Sequence, residues 1–254
     1  MTSLLASDLA VAAPPARART LNIACSSIDA VARLRLLRRQ IAGTLVFTTS
    51  FGLEDQVLTH LIATAGIDVA HVTLDTGRLF PETYQVWAAT ERQYGIRIRG
   101  YYPDAAAIEA LVDRQGIDGF YHSQAARKAC CEARKVDLLR RALLGASGWI
   151  TGLRAEQSAV RQGLDYVSDD RVHGVLKANP LLDWSRDQIA ALIEAAAIPS
   201  NPLHQQGFLS IGCAPCTRAV ATGEPERAGR WWWEDETAKE CGLHLNQRAA
   251  PALV

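Results

Sequence analysis

The chain alternates between short apolar, β-branched runs and longer segments in which apolar residues recur every three or four positions. The first pattern is typical of buried strands and the second of helices that face a core. Runs that predict strands cover residues 43–50, 67–77, 96–102 and 148–152. Helical periodicity covers residues 56–66, 82–94, 105–115, 128–145 and 185–198. Strands that alternate with helices in this way predict an α/β fold, with a parallel-type sheet flanked by helices.

Regular periodicity is missing at both ends of the chain. Residues 1–20 are rich in Ala, Pro and Arg and predict a flexible N-terminal tail. Residues 21–205 contain the predicted strands and helices and are expected to form an α/β domain, whereas residues 206–254 predict a C-terminal arm that returns over the sheet edge. Two helix starts are also predicted. Cys130 and Cys131 are expected at the start of one helix, and a capping box of Ser185 and Gln188 opens another.

Polar and glycine residues follow three of the predicted strands. These strand-end residues are Ser50, Phe51 and Gly52, then Asp75, Thr76, Gly77 and Arg78, and finally Leu153 and Arg154. Ligands of parallel α/β sheets bind beyond the carboxyl ends of the strands. Gly52 lets backbone N–H groups approach a phosphate at the start of the next helix. The three strand ends together predict a site for a phosphate-bearing ligand.

The composition of the chain argues against several classes of protein, namely nucleic-acid-binding, membrane-spanning and disulfide-rich proteins. The 254-residue chain has a formal net charge of zero, so no overall field favours binding to nucleic acid or to an anionic membrane. No apolar run approaches the ~18 residues that indicate a membrane span. Six cysteines without an apparent secretion signal favour reduced thiols in the cytoplasm, and therefore metal or redox chemistry, over a disulfide scaffold.

Four of the cysteines form two close pairs, Cys130 with Cys131 and Cys213 with Cys216. Adjacent cysteines form a disulfide only with strain, because their Cα atoms lie ~3.8 Å apart and a usual bridge needs ~5.5 Å. Two adjacent thiolates would crowd one zinc ion, whereas a cubane cluster offers a separate iron to each. The pairs therefore favour a 4Fe-4S cluster, with zinc as the alternative.

One further cysteine, Cys241, stands apart near the C-terminus. Lys239 and His244 lie close to it in sequence and would stabilise its thiolate. Cys241 and His244 are therefore candidate catalytic residues.

The motifs SFGLED, LDTGRLFPETY, the Cys-Cys pair, TGLRAEQS, KANPLLDWS, SIGCAPCTRAV, GRWWWE and KECGLH occur in this order along most of the chain. In this arrangement the chain resembles the assimilatory sulfonucleotide reductases, and in particular the iron–sulfur adenylyl-sulfate (APS) reductases. The resemblance implies an adenine-nucleotide α-hydrolase-like fold, related to the PP-loop ATP pyrophosphatases, and it implies that residues 21–205 are the nucleotide-binding domain. SFGLED stands where those enzymes have their pyrophosphate loop.

The resemblance also implies a reaction and its partners. Cys241 attacks the sulfur of APS, AMP leaves, and thioredoxin or glutaredoxin releases sulfite from the resulting S-sulfonate. Arg154, Arg227 and Arg230 would neutralise the phosphate and sulfate, and Lys135 would lie between cluster and sulfate. The adenine pocket would be lined by Phe51, Leu53 and Leu74. Reduction of the 3′-phosphorylated substrate (PAPS) and a zinc-bearing nucleotide-binding module remain alternatives, and a homo-oligomer stays open.

Overall fold

The computed structural model describes residues 14–158 and 161–234, and its centre is a six-stranded sheet. The strands are β1 (Thr44–Thr49), β2 (Ala70–Leu74), β3 (Arg99–Tyr101), β4 (Ala146–Ile150), β5 (Val167–Asp170) and β6 (Val175–Ala178). Their order across the sheet is β3-β2-β1-β4-β6-β5. All neighbouring pairs are parallel except β5 with β6. The predicted fold class, a mostly parallel sheet flanked by helices, is confirmed.

Eight α-helices connect and cover these strands in the described part of the chain. They are α1 (Pro14–Cys25), α2 (Ala30–Gln40), α3 (Leu53–Thr64), α4 (Pro81–Tyr94), α5 (Ala105–Gln115), α6 (Gln124–Cys131), α7 (Asp137–Leu143) and α8 (Arg186–Ala195). The predicted capping box is confirmed, and a glycine follows the end of another helix. Gly66, with φ of 61°, takes the left-handed conformation just after α3, and both capping-box bonds between Ser185 and Gln188 are present at α8.

Both faces of the central strands are buried. Phe47 and Ile150 pack with Leu34 and Val57 on one face, while Val46 and Trp149 pack with Leu139 on the other. Alternate residues of β1 and β4 therefore enter different cores, which explains why consecutive residues in each strand, such as Val46 with Phe47 and Trp149 with Ile150, are apolar. Burial on both faces leaves the strand ends as the accessible part of the sheet.

Two predicted boundaries need correction. Helix α1 begins at Pro14 and buries Ala18, Leu21 and Cys25, so the last residues of the predicted tail belong to the folded domain. Cys130 and Cys131 lie at the end of α6, not at a helix start, because Ser123 caps this helix seven residues before Cys130. A π-helical turn, Glu132–Val136, follows directly.

No helix among residues 14–158 and 161–234 combines the length and the apolar character needed to cross a membrane.

Candidate active site

A cavity of about 210 Å³ lies beyond the carboxyl ends of β1, β2 and β4. We call it the strand-end cavity. Residues of the predicted C-terminal arm form its other side: 209–212, Glu226, Arg227, Arg230 and Trp231. Seven of the residues predicted to bind substrate line it: Ser50, Gly52, Leu53, Leu74, Lys135, Arg227 and Arg230. The structure therefore brings loops from the sheet and cationic residues from the arm to one cavity.

The SFGLED loop is held by a buried carboxylate. Asp55 accepts hydrogen bonds from the backbone N–H of Ser50 at 2.6 Å and from its hydroxyl at 2.7 Å. A β-carbon at position 152 would collide with the Asp55 carboxylate, so Gly152 permits the ends of β1 and β4 to approach. The loop conformation does not depend on Gly52, whose φ of −68° is ordinary.

Burial makes the Asp55 carboxyl a weaker acid than an ordinary aspartic acid. It raises the pKa of this carboxyl from 3.8 to about 6, against the opposing effect of the two hydrogen bonds from Ser50. Glu54 raises it further and Arg161 lowers it. Asp55 thus changes charge near neutral pH at the wall of the strand-end cavity.

Phe51 does not line the cavity, contrary to the sequence expectation for adenine contact. Its backbone is left-handed, with φ of 61°, and its ring stacks on Trp87 at a centroid distance of 5.6 Å. Val86 and Ile98 complete this small buried cluster. The turn directs the aromatic ring into the protein, a feature that the sequence pattern did not indicate.

Arg154 also differs from the expectation. It is fully buried, with 0% of its side chain exposed, and does not line the cavity. Its guanidinium lies 2.8 Å from Glu54 and 3.3 Å from Glu226, and Arg186 lies 3.3 Å from the same Glu226. Arg154 therefore joins the loop after β1 to the arm and does not present its charge to a ligand.

Residues 75–78, directly after β2, do not line the strand-end cavity, and Thr76 and Arg78 lie beside the cysteines. Thr76 has its hydroxyl 3.3 Å from the Sγ atom of Cys213, and its carbonyl accepts a hydrogen bond from Arg134 at 2.8 Å. Asp75 accepts hydrogen bonds from the backbone of Gly77 and the hydroxyl of Tyr84, both at 2.9 Å. These side chains organise the cysteine region.

Cys130, Cys131, Cys213 and Cys216 line one small cavity of about 20 Å³, which we call the cysteine cavity. None of the four is in a disulfide. Five cationic side chains share its wall: Arg78, Arg127, Arg134, Lys135 and Arg230. Burial raises the pKa of the Cys216 thiol to about 12, and the neighbouring Cys213 raises it further, while Lys135 and Arg230 act in the opposite direction.

The Cys-x-x-Cys segment is fixed by backbone contacts. The N–H of Ala214 donates to the carbonyl of Arg78 at 2.8 Å, and the hydroxyl of Tyr121 donates to the carbonyl of Pro215 at 2.6 Å. A short 3₁₀ turn, Ala214–Cys216, then brings the two cysteines to one side. The loop after β2 and the segment before α6 thus determine where these thiols lie.

The GRWWWE motif packs against the end of α6. Glu234 forms a two-point ion pair with Arg127, at 2.9 and 2.7 Å, and neither side chain is more than 6% exposed. Trp231 lies between two guanidinium groups, 4.6 Å from that of Arg127 and 4.9 Å from that of Arg230. The motif is therefore a structural link between the arm and the cysteine cavity.

The two cavities share part of their walls. Lys135, Arg230 and Trp231 line both, so the cationic groups beside the thiols also face the strand-end cavity. The predicted nucleophile Cys241 and its neighbour His244 lie outside the described residues.

Four charged residues of the site were not singled out from the sequence, although all line the strand-end cavity: Glu54, Asp55, Arg161 and Glu226. Glu54 and Asp55 belong to SFGLED, and Glu226 lies next to Arg227, so motif membership was the available signal. Arg161 had no comparable signal.

Solved structures resemble this chain in fold. A phosphoadenylyl-sulfate (PAPS) reductase from Candida auris, in complex with phosphate, superposes with a TM-score of 0.69 at 25% identity over 83% of this chain and 99% of that one. An FMN adenylyltransferase from Candida glabrata gives 0.52 at 16% identity over 93% of this chain and 83% of that one, which indicates shared fold alone. The sheet and its strand-end cavity thus define an α/β protein of the adenine-nucleotide α-hydrolase-like fold.

Sequence comparison gives the family. The model of the phosphoadenosine phosphosulfate reductase domain matches residues 44–219, and the chain belongs to this family. An adenosine 5′-phosphosulfate reductase from Sinorhizobium fredii is 51% identical over 238 residues, which cover 94% of each chain.

Proposed function

We propose that this protein reduces APS to sulfite and AMP, the reductive step of sulfate assimilation that leads towards cysteine biosynthesis. One observation carries the proposal: the strand-end cavity and the cysteine cavity share Lys135, Arg230 and Trp231. An adenine nucleotide held beyond the strand ends can therefore extend an anionic group toward the thiols. The 51% identical relative named adenosine 5′-phosphosulfate reductase supports APS as the substrate.

The cationic lining suits a substrate with two adjacent anionic groups. Arg227 lines the strand-end cavity but not the cysteine cavity, whereas Lys135 and Arg230 line both cavities. Charge-assisted hydrogen bonds from these groups would hold the phosphate and sulfate and stabilise the negative charge on departing AMP. Ser50 and Gly52, at the start of α3, would bind the nucleotide through a hydroxyl and backbone N–H groups.

The four cysteines fit a 4Fe-4S cluster. Within the described residues, no group of three or more His, Cys, Asp or Glu side chains is arranged to hold a single metal ion, yet four thiols line one cavity. Thiols spread in this way suit the separate corners of a cluster better than one zinc ion. Arg134 Nε and Trp231 Nε1 are buried at this cavity without a hydrogen-bond partner, and cluster sulfur atoms could accept from such donors. The bound cluster would supply fixed charge beside the substrate.

The chemistry would take place at Cys241. Its thiolate attacks the sulfate sulfur, a Cys–S–SO₃⁻ adduct forms, and the sulfur–oxygen bond to AMP breaks with its electron pair on AMP. A thiolate of reduced thioredoxin then attacks Cys241 Sγ, and sulfite departs with the pair of the broken S–S bond. The second thioredoxin thiolate resolves the mixed disulfide, so one dithiol supplies both electrons and Cys241 is regenerated.

The test is a single turnover by anaerobically purified protein without reductant. APS should release about one AMP per site and add the mass of SO₃ to the peptide that contains Cys241, as covalent catalysis requires. Cys241→Ser should retain iron and bind APS but release no AMP. An adduct on another cysteine would contradict the proposed nucleophile, and equal rates with PAPS and APS would contradict the substrate.

A further inference from the structure

Four aromatic rings form a surface cluster beside the cysteine cavity. Tyr121 lies 4.4 Å from Phe120 and 4.4 Å from Trp233, and Trp232 lies 4.8 Å from Trp233, all between ring centroids. We call Phe120, Tyr121, Trp232 and Trp233 the aromatic surface. Phe120 is buried, whereas Tyr121 and Trp232 are each 39% exposed. Large aromatic groups clustered at the surface are typical of protein–protein contact sites.

None of these four rings is required by the proposed chemistry. They line neither the strand-end cavity nor, apart from Phe120, the cysteine cavity. Stability alone accounts for Phe120 and Trp233, which pack around the cysteines. The exposure of Trp232 has no such explanation, because its ring lies at the outer edge of the cluster, 4.8 Å from that of Trp233 and 6.2 Å from that of Tyr121, and is 39% exposed.

The length of the chain beyond Glu234 indicates which partner this surface meets. Glu234 is held by its buried ion pair with Arg127 and directly follows Trp233. Cys241 is seven residues further on, and seven extended residues span at most about 25 Å. Whatever protein attacks the Cys241 sulfur must therefore dock within about 25 Å of this anchor.

A docking footprint at that distance can reach the aromatic surface, because Trp232 and Trp233 directly precede Glu234. A specific protein interface covers about 800 Å² on each partner, which is roughly 30 Å across. We propose that the aromatic surface is the docking site for the dithiol reductant, a protein of the thioredoxin class, with Trp232 as the central contact. This inference rests on the proposed function, because only the Cys241 S-sulfonate gives such a partner a reason to bind here.

The experiment separates docking from chemistry by measuring two half-reactions in Trp232→Ser. The matched control is Leu144→Ser, which also removes an exposed apolar side chain, 88% exposed and just before the amino end of β4. Both variants should keep their iron, release AMP from APS at the wild-type rate and turn over normally with dithiothreitol. Only Trp232→Ser should raise the KM for thioredoxin, by about tenfold or more, as expected for a central aromatic contact.

A second measurement locates the contact directly. Thioredoxin that lacks its resolving cysteine should remain attached to Cys241 as a mixed disulfide, and hydrogen exchange in that complex should slow at residues 119–121 and 231–233. An unchanged KM in Trp232→Ser, or no protection there, would overturn the proposal. The proposal would also be overturned if wild-type protein were a dimer, Trp232→Ser were a monomer, and the KM for thioredoxin were the same in both. The aromatic surface would then bind a second copy of this chain and not the reductant. If wild-type protein forms no Cys241 adduct at all, the proposed function itself fails.

Discussion

Arg154, at the end of β4, contacts Glu226 in the C-terminal arm at 3.3 Å, from a position that is fully buried. Glu226 is followed directly by Arg227, which lines the strand-end cavity. The contact therefore fixes the arm at the point where it delivers a cationic side chain to the cavity. Because Glu54 holds the other side of the same guanidinium at 2.8 Å, the SFGLED loop and the arm depend on one residue.

Replacement of Arg154 by Ala should destabilise the protein strongly. The change leaves Glu54 and Glu226 close together without their common partner, and loss of one member of a buried pair costs about 3 kcal/mol or more. Urea unfolding measures this loss. Arg97→Ala is the control, because its 3.5 Å pair with Glu91 is exposed on the Arg97 side and such pairs contribute no more than about 1 kcal/mol. Equal losses in both variants would contradict the structural role of Arg154.

Asp55 should make stability depend on pH. Its folded pKa, about 6, lies above the ordinary value of 3.8, so the folded state binds the proton more tightly. The resulting stability is present at low pH and is lost as the pH rises from about 4 to about 6. Roughly 1 kcal/mol of the loss should fall between pH 5 and pH 7. The difference in unfolding free energy between wild type and Asp55→Asn isolates this effect, and a difference that does not change with pH would refute it.

Substitutions of Arg227 and Lys135 should differ in their effects on the cluster, although both should weaken substrate binding. Arg227 lines only the strand-end cavity, whereas Lys135 lines both cavities. Arg227→Ala should weaken APS binding by about 1.5–3 kcal/mol, the range for charge-assisted hydrogen bonds, and leave iron content and absorption unchanged. Lys135→Ala should weaken binding and also alter the cluster absorption. The measurements are calorimetric titration with APS and visible absorption spectra. Identical spectra for the two variants would contradict the claim that Lys135 lies next to the cluster as well as the substrate.

The strand ends could be predicted from sequence because burial on both faces favours short runs of β-branched and apolar residues, and the residues after such a run must then reach the surface. Ser50, Gly52 and Leu74 line the strand-end cavity, as this argument expects. The direction of a side chain at a turn is not determined by that pattern. Phe51 turns inward because its backbone is left-handed, which no periodicity indicates.

The cysteine cavity could also be predicted only in part from the sequence. The spacing of the four cysteines indicated that they would meet, and they do line one cavity. Their cationic surroundings depend on tertiary contacts such as that of Arg134 with Thr76, which are 58 residues apart. Arg154 was expected at a ligand because arginine binds anions, but in the structure it pairs with Glu54 and Glu226, which are remote in sequence, as well as with the nearby Glu156.

The ion pair of Arg127 with Glu234 should control how firmly the cysteine cavity is closed. Both side chains are nearly inaccessible, at 1% and 6%, and Arg127 also lines that cavity. In Glu234→Gln the guanidinium loses its charged partner, and the GRWWWE motif keeps its contact with α6 only through weaker interactions such as the packing of Trp231 on Arg127. Removal of one partner from a buried pair should lower the unfolding free energy by about 3 kcal/mol.

The same variant should also release iron faster. Since Trp231 packs on Arg127 and lines the cysteine cavity, a loosened motif would admit chelators to the thiols. Glu224→Gln is the matched control, because Glu224 pairs with Arg218 at 2.8 Å in the same arm but at the surface, where the pair contributes little. The measurements are urea unfolding and the rate of iron loss to a ferrous chelator. Loss of stability without faster iron release would show that the pair supports the arm alone, and equal behaviour of the two variants would contradict both roles.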